Sequence, residues 1–145
     1  MNKPEPNKTF KVDDNYSFST DELGRTKSVS GKLDLTTKDR NKYQQGKAGK
    51  SGESADEGGH LIASIFNGPG EKINLVPMNG NLNKGEWKKL ENSWAEKLRE
   101  GKSVDVTVEP VYSSSSVRPD SFNITYTVDG GRPIEQVFLN TQGGK

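Results

Sequence analysis

One stretch of this chain changes hydrophobic period, and that change fixes its fold class. Trp87, Leu90, Trp94 and Leu98 fall at i, i+3, i+7 and i+11, a single apolar stripe of a helix spanning roughly residues 80–100. Asn79 or Asn81 is placed to cap its start, and Gly101 to end it. Gly85 weakens a helix interior by about 1 kcal/mol relative to alanine, so tertiary packing has to hold that turn. On both sides of the stripe the period is two. Residues 16–19 alternate, residues 21–24 read as a turn, and Val29, Gly31, Leu33 and Leu35 extend further, so a hairpin is expected over 16–35. Val104, Val106 and Val108 alternate with polar residues, as do Phe122, Ile124, Tyr126 and Val128. Asp129-Gly130-Gly131 then turns the chain into an antiparallel partner over 132–139. The class is α+β, an antiparallel β-sheet core with one long helix.

A chain of 145 residues has room for one ordinary domain. Only 28% of it is hydrophobic, but its net charge is +1, and a disordered chain needs high charge as well as low hydrophobicity. A loop-rich domain follows. No apolar run approaches the roughly 18 residues of a membrane span, and the opening Met1-Asn2-Lys3-Pro4-Glu5-Pro6 has no apolar signal region. The absence of cysteine removes disulfides, a thiol nucleophile and a zinc ribbon, and suits a chain that crosses redox compartments. A single histidine removes multi-histidine metal sites. Residues 1–14, with two prolines and alternating charge, read as a linker. Residues 36–57 are polar and glycine-rich, with at most one helical turn around 40–45. There Lys38, Arg40, Lys42, Lys47 and Lys50 face only Asp39, which makes either a phosphate-attracting patch or a solvated face.

Three segments could carry chemistry. Gly49-Lys50-Ser51 ends like a phosphate-binding P-loop, but that motif needs glycine at position 44, which is Gln44, so a basic loop is expected. His60 follows Gly58 and Gly59 at the start of an apolar strand; glycines there let a substrate backbone approach closely. Its neutral imidazole is either a base able to take a proton from water or a lone histidine satisfied by a backbone carbonyl. Asn74, Asn79, Asn81 and Asn83 are either turn and cap residues or carbonyl donors for a hard cation such as Mg²⁺. On one continuous helix Asn83 and Glu91 would lie about 12 Å apart along the axis. Helical side chains lean toward the N-terminus, so Glu91 reaches back to hold water on an ion bound by Asn83, or else is an ordinary surface acid.

Gly58-Gly59-His60-Leu61-Ile62-Ala63, Asn74-Leu75-Val76-Pro77 and Leu82-Asn83-x-Gly85-x-Trp87-x-x-Leu90-Glu91 together resemble the DNA/RNA non-specific endonucleases, which carry the ββα-metal (His-Me) finger. Within that family the resemblance is closest to nuclease modules that end bacterial polymorphic toxins of the LXG type. It is strongest over 56–98, weaker through 40–45, and the spacing of Asn74, Asn83 and Glu91 matches residue for residue. It implies a nuclease domain at 15–140 followed by a flexible tail at 141–145. His60 is then the general base, Asn83 the metal ligand, Glu91 the holder of metal-bound water and Asn74 an orienting residue. The implied cofactor is Mg²⁺, with Mn²⁺ as the alternative, and the products carry 5′-phosphates.

One departure stands out. Many family members read Asp-Arg-Gly-His, whereas Glu57-Gly58-Gly59-His60 lacks the arginine that neutralises the scissile phosphate. Arg40, or failing that Arg25, is expected to supply it unless the ion carries that charge alone. Trp87 and Trp94 fit the apolar stripe and are expected in the core rather than as stacking platforms for bases. The toxin resemblance implies a nucleic acid substrate (DNA, with RNA a further candidate), no membrane and a cognate immunity protein. It also implies a secreted effector acting in the cytoplasm of a target bacterium. Two other readings stay open: a scavenging or DNA-uptake nuclease without an immunity partner, and a catalytically silent nucleic-acid-binding module.

Overall fold

The computed structural model describes residues 2–12, 15–37 and 41–144. Strands β1 (Thr9–Val12), β2 (Tyr16–Thr20) and β3 (Thr26–Lys32) lead into helix α1 (Lys42–Lys50). Strands β4 (Asp56–His60) and β5 (Leu75–Asn79) follow, then helices α2 (Gly80–Lys84) and α3 (Glu86–Arg99). Strands β6 (Val104–Val111), β7 (Ser121–Val128) and β8 (Ile134–Leu139) complete the order. One antiparallel sheet runs β1-β2-β3-β6-β7-β8, and β4 pairs with β5 in a separate two-stranded ribbon. Helix α1, the β4–β5 ribbon and helices α2 and α3 are thus inserted between β3 and β6, which are neighbours in the large sheet.

The alternation in sequence decides which face of the sheet is covered. Phe18 pairs with Val29, Val29 with Val108, Val108 with Ile124 and Phe122 with Phe138, and all are buried. The opposite parity gives an outer row of Ser17, Ser30, Thr107 and Thr125. Helix α3 lays its apolar stripe on the buried face: the Trp87 ring lies 4.9 Å from Phe122 and 5.9 Å from Phe138, and Trp94 lies 5.4 Å from Tyr126. Burying side chains of this kind contributes about 1.5–3 kcal/mol each. Both tryptophans are therefore core, as their spacing indicates. Among the described residues no helix is long and apolar enough to cross a membrane.

Four expectations are corrected. The single helix over 80–100 is two, α2 and α3, broken at Gly85. The Asn79 side chain caps α2, accepting from the backbone N–H of Asn81 and Leu82, and Gly101, at φ +84°, ends α3. Second, Lys42–Lys50 is a nine-residue helix rather than a loop with one turn, so the P-loop-like stretch is helical. Third, the linker-like start supplies edge strand β1, where Phe10 pairs with Phe18. Fourth, the expected tail forms a 3₁₀ turn at Gln142–Gly144, and Gly143 N–H donates to Asn81 Oδ1 at 2.7 Å.

Polar clamps join the ribbon to the sheet. Arg118 donates from Nε and Nη2 to the fully buried Asp56 carboxylate at 2.7 and 3.1 Å, and from Nη2 to the Asn140 carbonyl at 2.8 Å. The buried Asn140 amide donates to the Pro77 and Pro119 carbonyls, and its Oδ1 accepts from Asn79 N–H. A paired, hydrogen-bonded carboxylate of this kind fixes one arrangement of the chains it joins.

Candidate active site

His60 is the last residue of β4, not the first of an apolar strand as its sequence neighbours suggest. The apolar residues after it leave the ribbon and turn. Asn74, 0% exposed, makes that turn: its Oδ1 accepts from Ile62 N–H at 2.9 Å, and its Nδ2 donates to the Ile62 and Pro69 carbonyls at 2.8 and 2.9 Å. Its backbone carbonyl also accepts from Leu61 N–H. Buried backbone groups without strand partners need substitutes, and one asparagine amide supplies three. Asn74 therefore fixes the backbone turn that follows His60.

On α2, Asn83 is half-buried and donates from Nδ2 to Glu57 Oε1 at 3.1 Å. The other oxygen of Glu57 meets Lys84 Nζ at 2.7 Å. Burial pushes the Glu57 carboxyl upward, but the bonds from Lys84 and Asn83 and the charge of Lys84 outweigh it and hold it below the usual glutamate range. Glu91 sits on α3 at 8% exposure and His60 at 7%. His60, Asn83, Glu91 and Glu57 line a single cleft of about 880 Å³ between α1 and the start of α3, with Lys50 and Lys88 on its walls. The axial spacing expected for Asn83 and Glu91 does not apply, because Gly85 interrupts the helix; the two share the cleft all the same.

Among the described residues no three His, Cys, Asp or Glu side chains are grouped to hold a metal ion. The oxygen donors present, the Asn83 amide and the Glu91 carboxylate, suit a hard cation that keeps most of its water.

The missing arginine has a physical reason. Gly49 of α1 packs on Gly58, and a Cβ at Gly58 would lie 1.9 Å from the Gln45 carbonyl oxygen. Gln45 Nε2 also donates to the Gly58 carbonyl at 3.0 Å. Helix α1 occupies the space a side chain at position 58 would need, and contributes its own Lys50 to the cleft. Arg40 lies outside the described residues. Arg25 is engaged elsewhere: Nε pairs with Asp21 at 2.8 Å, Nη1 donates to the Ser114 and Ser116 carbonyls, and the guanidinium stacks 4.1 Å over Tyr112. It is removed as the replacement. Glu57 is the site residue that sequence reading left without a role, although it stands three positions before the only histidine.

Comparison with known proteins gives relatives by sequence and by fold. Type VII secretion system protein EssD of Staphylococcus aureus (strain USA300) is 38% identical over 133 residues, which is 85% of this chain and 21% of EssD. The chain thus spans about a fifth of that relative's length. NucA from Streptococcus agalactiae with magnesium ion bound shares the fold at a TM-score of 0.72 and 16% identity, over 93% of this chain and 72% of NucA. The Sda1 nuclease with bound zinc ion does so at 0.67 and 14%, over 88% and 76%. The family model described as DNA/RNA non-specific endonuclease matches residues 6–130, and the chain belongs to that family.

Proposed function

We propose that this chain is a Mg²⁺-dependent, sequence-nonspecific endonuclease that hydrolyses phosphodiester bonds in DNA, with RNA a second substrate. The observation that carries the reading is the convergence of His60, Asn83 and Glu91 on one cleft from three separate elements. His60 is the only side chain in the sequence whose ordinary pKa suits proton transfer near neutral pH, and it takes the proton of the water that attacks phosphorus. As that oxygen bonds to phosphorus, the P–O3′ bond breaks, the 5′-phosphate product forms, and the departing 3′-oxygen takes a proton from water to become the 3′-hydroxyl. Asn83 would hold the ion through its amide oxygen and Glu91 would orient water beside it, while Asn74 keeps the backbone after His60 in place. When bound, Mg²⁺ supplies electrophilic stabilisation of the charge that develops on the phosphate and leaving oxygens. NucA holds magnesium and Sda1 zinc. The oxygen donors here, with no cysteine in the chain and its one histidine serving as base, favour the harder ion, Mn²⁺ being the closest substitute.

The likeness to EssD supports a setting as well as a chemistry. The chain is the toxin module of a secreted effector that acts in the cytoplasm of a target bacterium, with a cognate immunity protein protecting the producer. Digestion of supercoiled plasmid by the purified protein tests the chemistry. Cleavage should stop with EDTA, fall about 10²–10⁴-fold in His60→Ala, and fall further in Asn83→Ala than in Glu91→Gln. A His60→Ala protein that cleaves at the wild-type rate, or cleavage indifferent to EDTA, overturns the reading. Expression in a bacterial cytoplasm tests the setting: growth should arrest with the wild type and continue with His60→Ala.

A further inference from the structure

We propose that Glu57 is a positioning residue that determines which end of the Asn83 side chain faces the cation; the inference rests on Asn83 being the cation ligand. An asparagine amide has an oxygen at one end and an NH₂ of nearly equal size at the other, so shape alone does not choose between them. Only the oxygen binds a hard cation. With the amide turned over, the site would present two N–H donors to a positive charge.

Glu57 removes that ambiguity. Its carboxylate only accepts hydrogen bonds, and Oε1 takes the Asn83 Nδ2 donor at 3.1 Å, which leaves Oδ1 for the cleft. Oε2 is held by Lys84 Nζ at 2.7 Å, so both carboxylate oxygens are fixed. The backbone that carries Glu57 is fixed too, because the residue pairs with Met78 across the β4–β5 ribbon. Gly80, at the start of α2, makes room for the stem: a Cβ there would come within 3.3 Å of Glu57 Cγ and Cδ. Helix and ribbon thus meet at the carboxylate that sorts the amide. A direct pull of the Glu57 charge on the ion is a weaker account, since the Lys84 ammonium in contact with it carries the opposite charge.

An aspartate has no end to sort, and the test uses that fact. Mn²⁺ affinity of the purified chain is read from the electron paramagnetic resonance of the free ion, without substrate, and thermal unfolding checks the fold of each variant. Glu57→Ala should weaken Mn²⁺ binding about 10–100-fold in the wild-type background. In an Asn83→Asp background the same change should cost no affinity, because both carboxylate atoms are oxygen. Glu57→Gln, which can still accept through Oε1, should keep most of the wild-type affinity. Equal losses in the two backgrounds mean that Glu57 acts by charge or general structure, and overturn the proposal, as does no loss in the wild-type background. Asn83→Ala with undiminished Mn²⁺ affinity removes the ligand reading itself, and this inference with it. If Glu57→Ala does not fold, the ¹H–¹⁵N spectrum of the wild type decides: one Asn83 side-chain proton should be shifted by its carboxylate partner, and the shift should lessen in Glu57→Gln, whose neutral oxygen accepts more weakly. An unshifted Asn83 amide in the wild type overturns the proposal.

Discussion

Asn74 shows what a residue's chemistry announces and what its surroundings decide. Its amide can accept and donate wherever it is placed, but the groups it serves, Ile62 N–H and the Ile62 and Pro69 carbonyls, lie 12 and 5 residues away in a turn that exists only once the chain is folded. Asn74→Ala strands all three in a buried site, and each orphaned group costs about 1–3 kcal/mol. The expected result is a fall of more than about 2 kcal/mol in unfolding free energy, read from the urea midpoint, with nuclease rate falling alongside it. The same division runs through the site. His60, Asn83 and Glu91 were legible as residue types at a spacing, because proton transfer and cation binding draw on a short menu of side chains. Glu57 was not, because the role proposed for it depends on a partner 26 residues further on.

Elements were legible where one face is apolar. The stripe of α3 and the alternation of β6 and β7 stand out because burial of one face leaves a period in the sequence. Helix α1 leaves none. It packs through Gly49 against Gly58, backbone on backbone, and Ala48 is the one apolar side chain it buries, too little to make a period. Strand β1 is hidden for a different reason: it is a four-residue edge strand with only Phe10 and Val12 turned to the core, too short for alternation to stand out. The break at Gly85 lies between two stretches that share one helical period, so periodicity ran through it. Restoring the family's arginine tests the account of α1. Gly58→Arg should lower the melting temperature and the helical circular dichroism and should not raise nuclease rate, since a side chain there displaces Gln45.

At the scale of the whole molecule, a net charge of +1 gives little general attraction for nucleic acid, so binding depends on where the cations stand. Lys50 of α1 and Lys88 of α3 both line the cleft, and neither has an ion pair among the described residues. In the His60→Ala protein, with residual cleavage stopped by EDTA, each change to alanine at Lys50 or Lys88 should reduce the slope of log affinity for duplex DNA against log salt by about 0.9. Acid should loosen the fold. Glu57 and Asp120 titrate below their ordinary values, Glu57 against its burial through Lys84 and Asn83, Asp120 through bonds from Ser113. The stability they contribute is complete above about pH 4.5 and is lost as pH falls through their folded values. The urea midpoint measured in EDTA should accordingly be lower at pH 3.5 than at pH 7. The pairing of β3 with β6 has a temporal consequence. It closes a loop over the whole of residues 33–103, and the clamp on the ribbon comes from Arg118 and Asn140, later still in the chain. A ribosome therefore extrudes His60, Asn83 and Glu91 well before the strands that brace them. A nascent chain that has reached Glu91 carries these cleft residues while it still lacks the strands and clamps that hold them in place, so assembly of the cleft waits on residues 104–140.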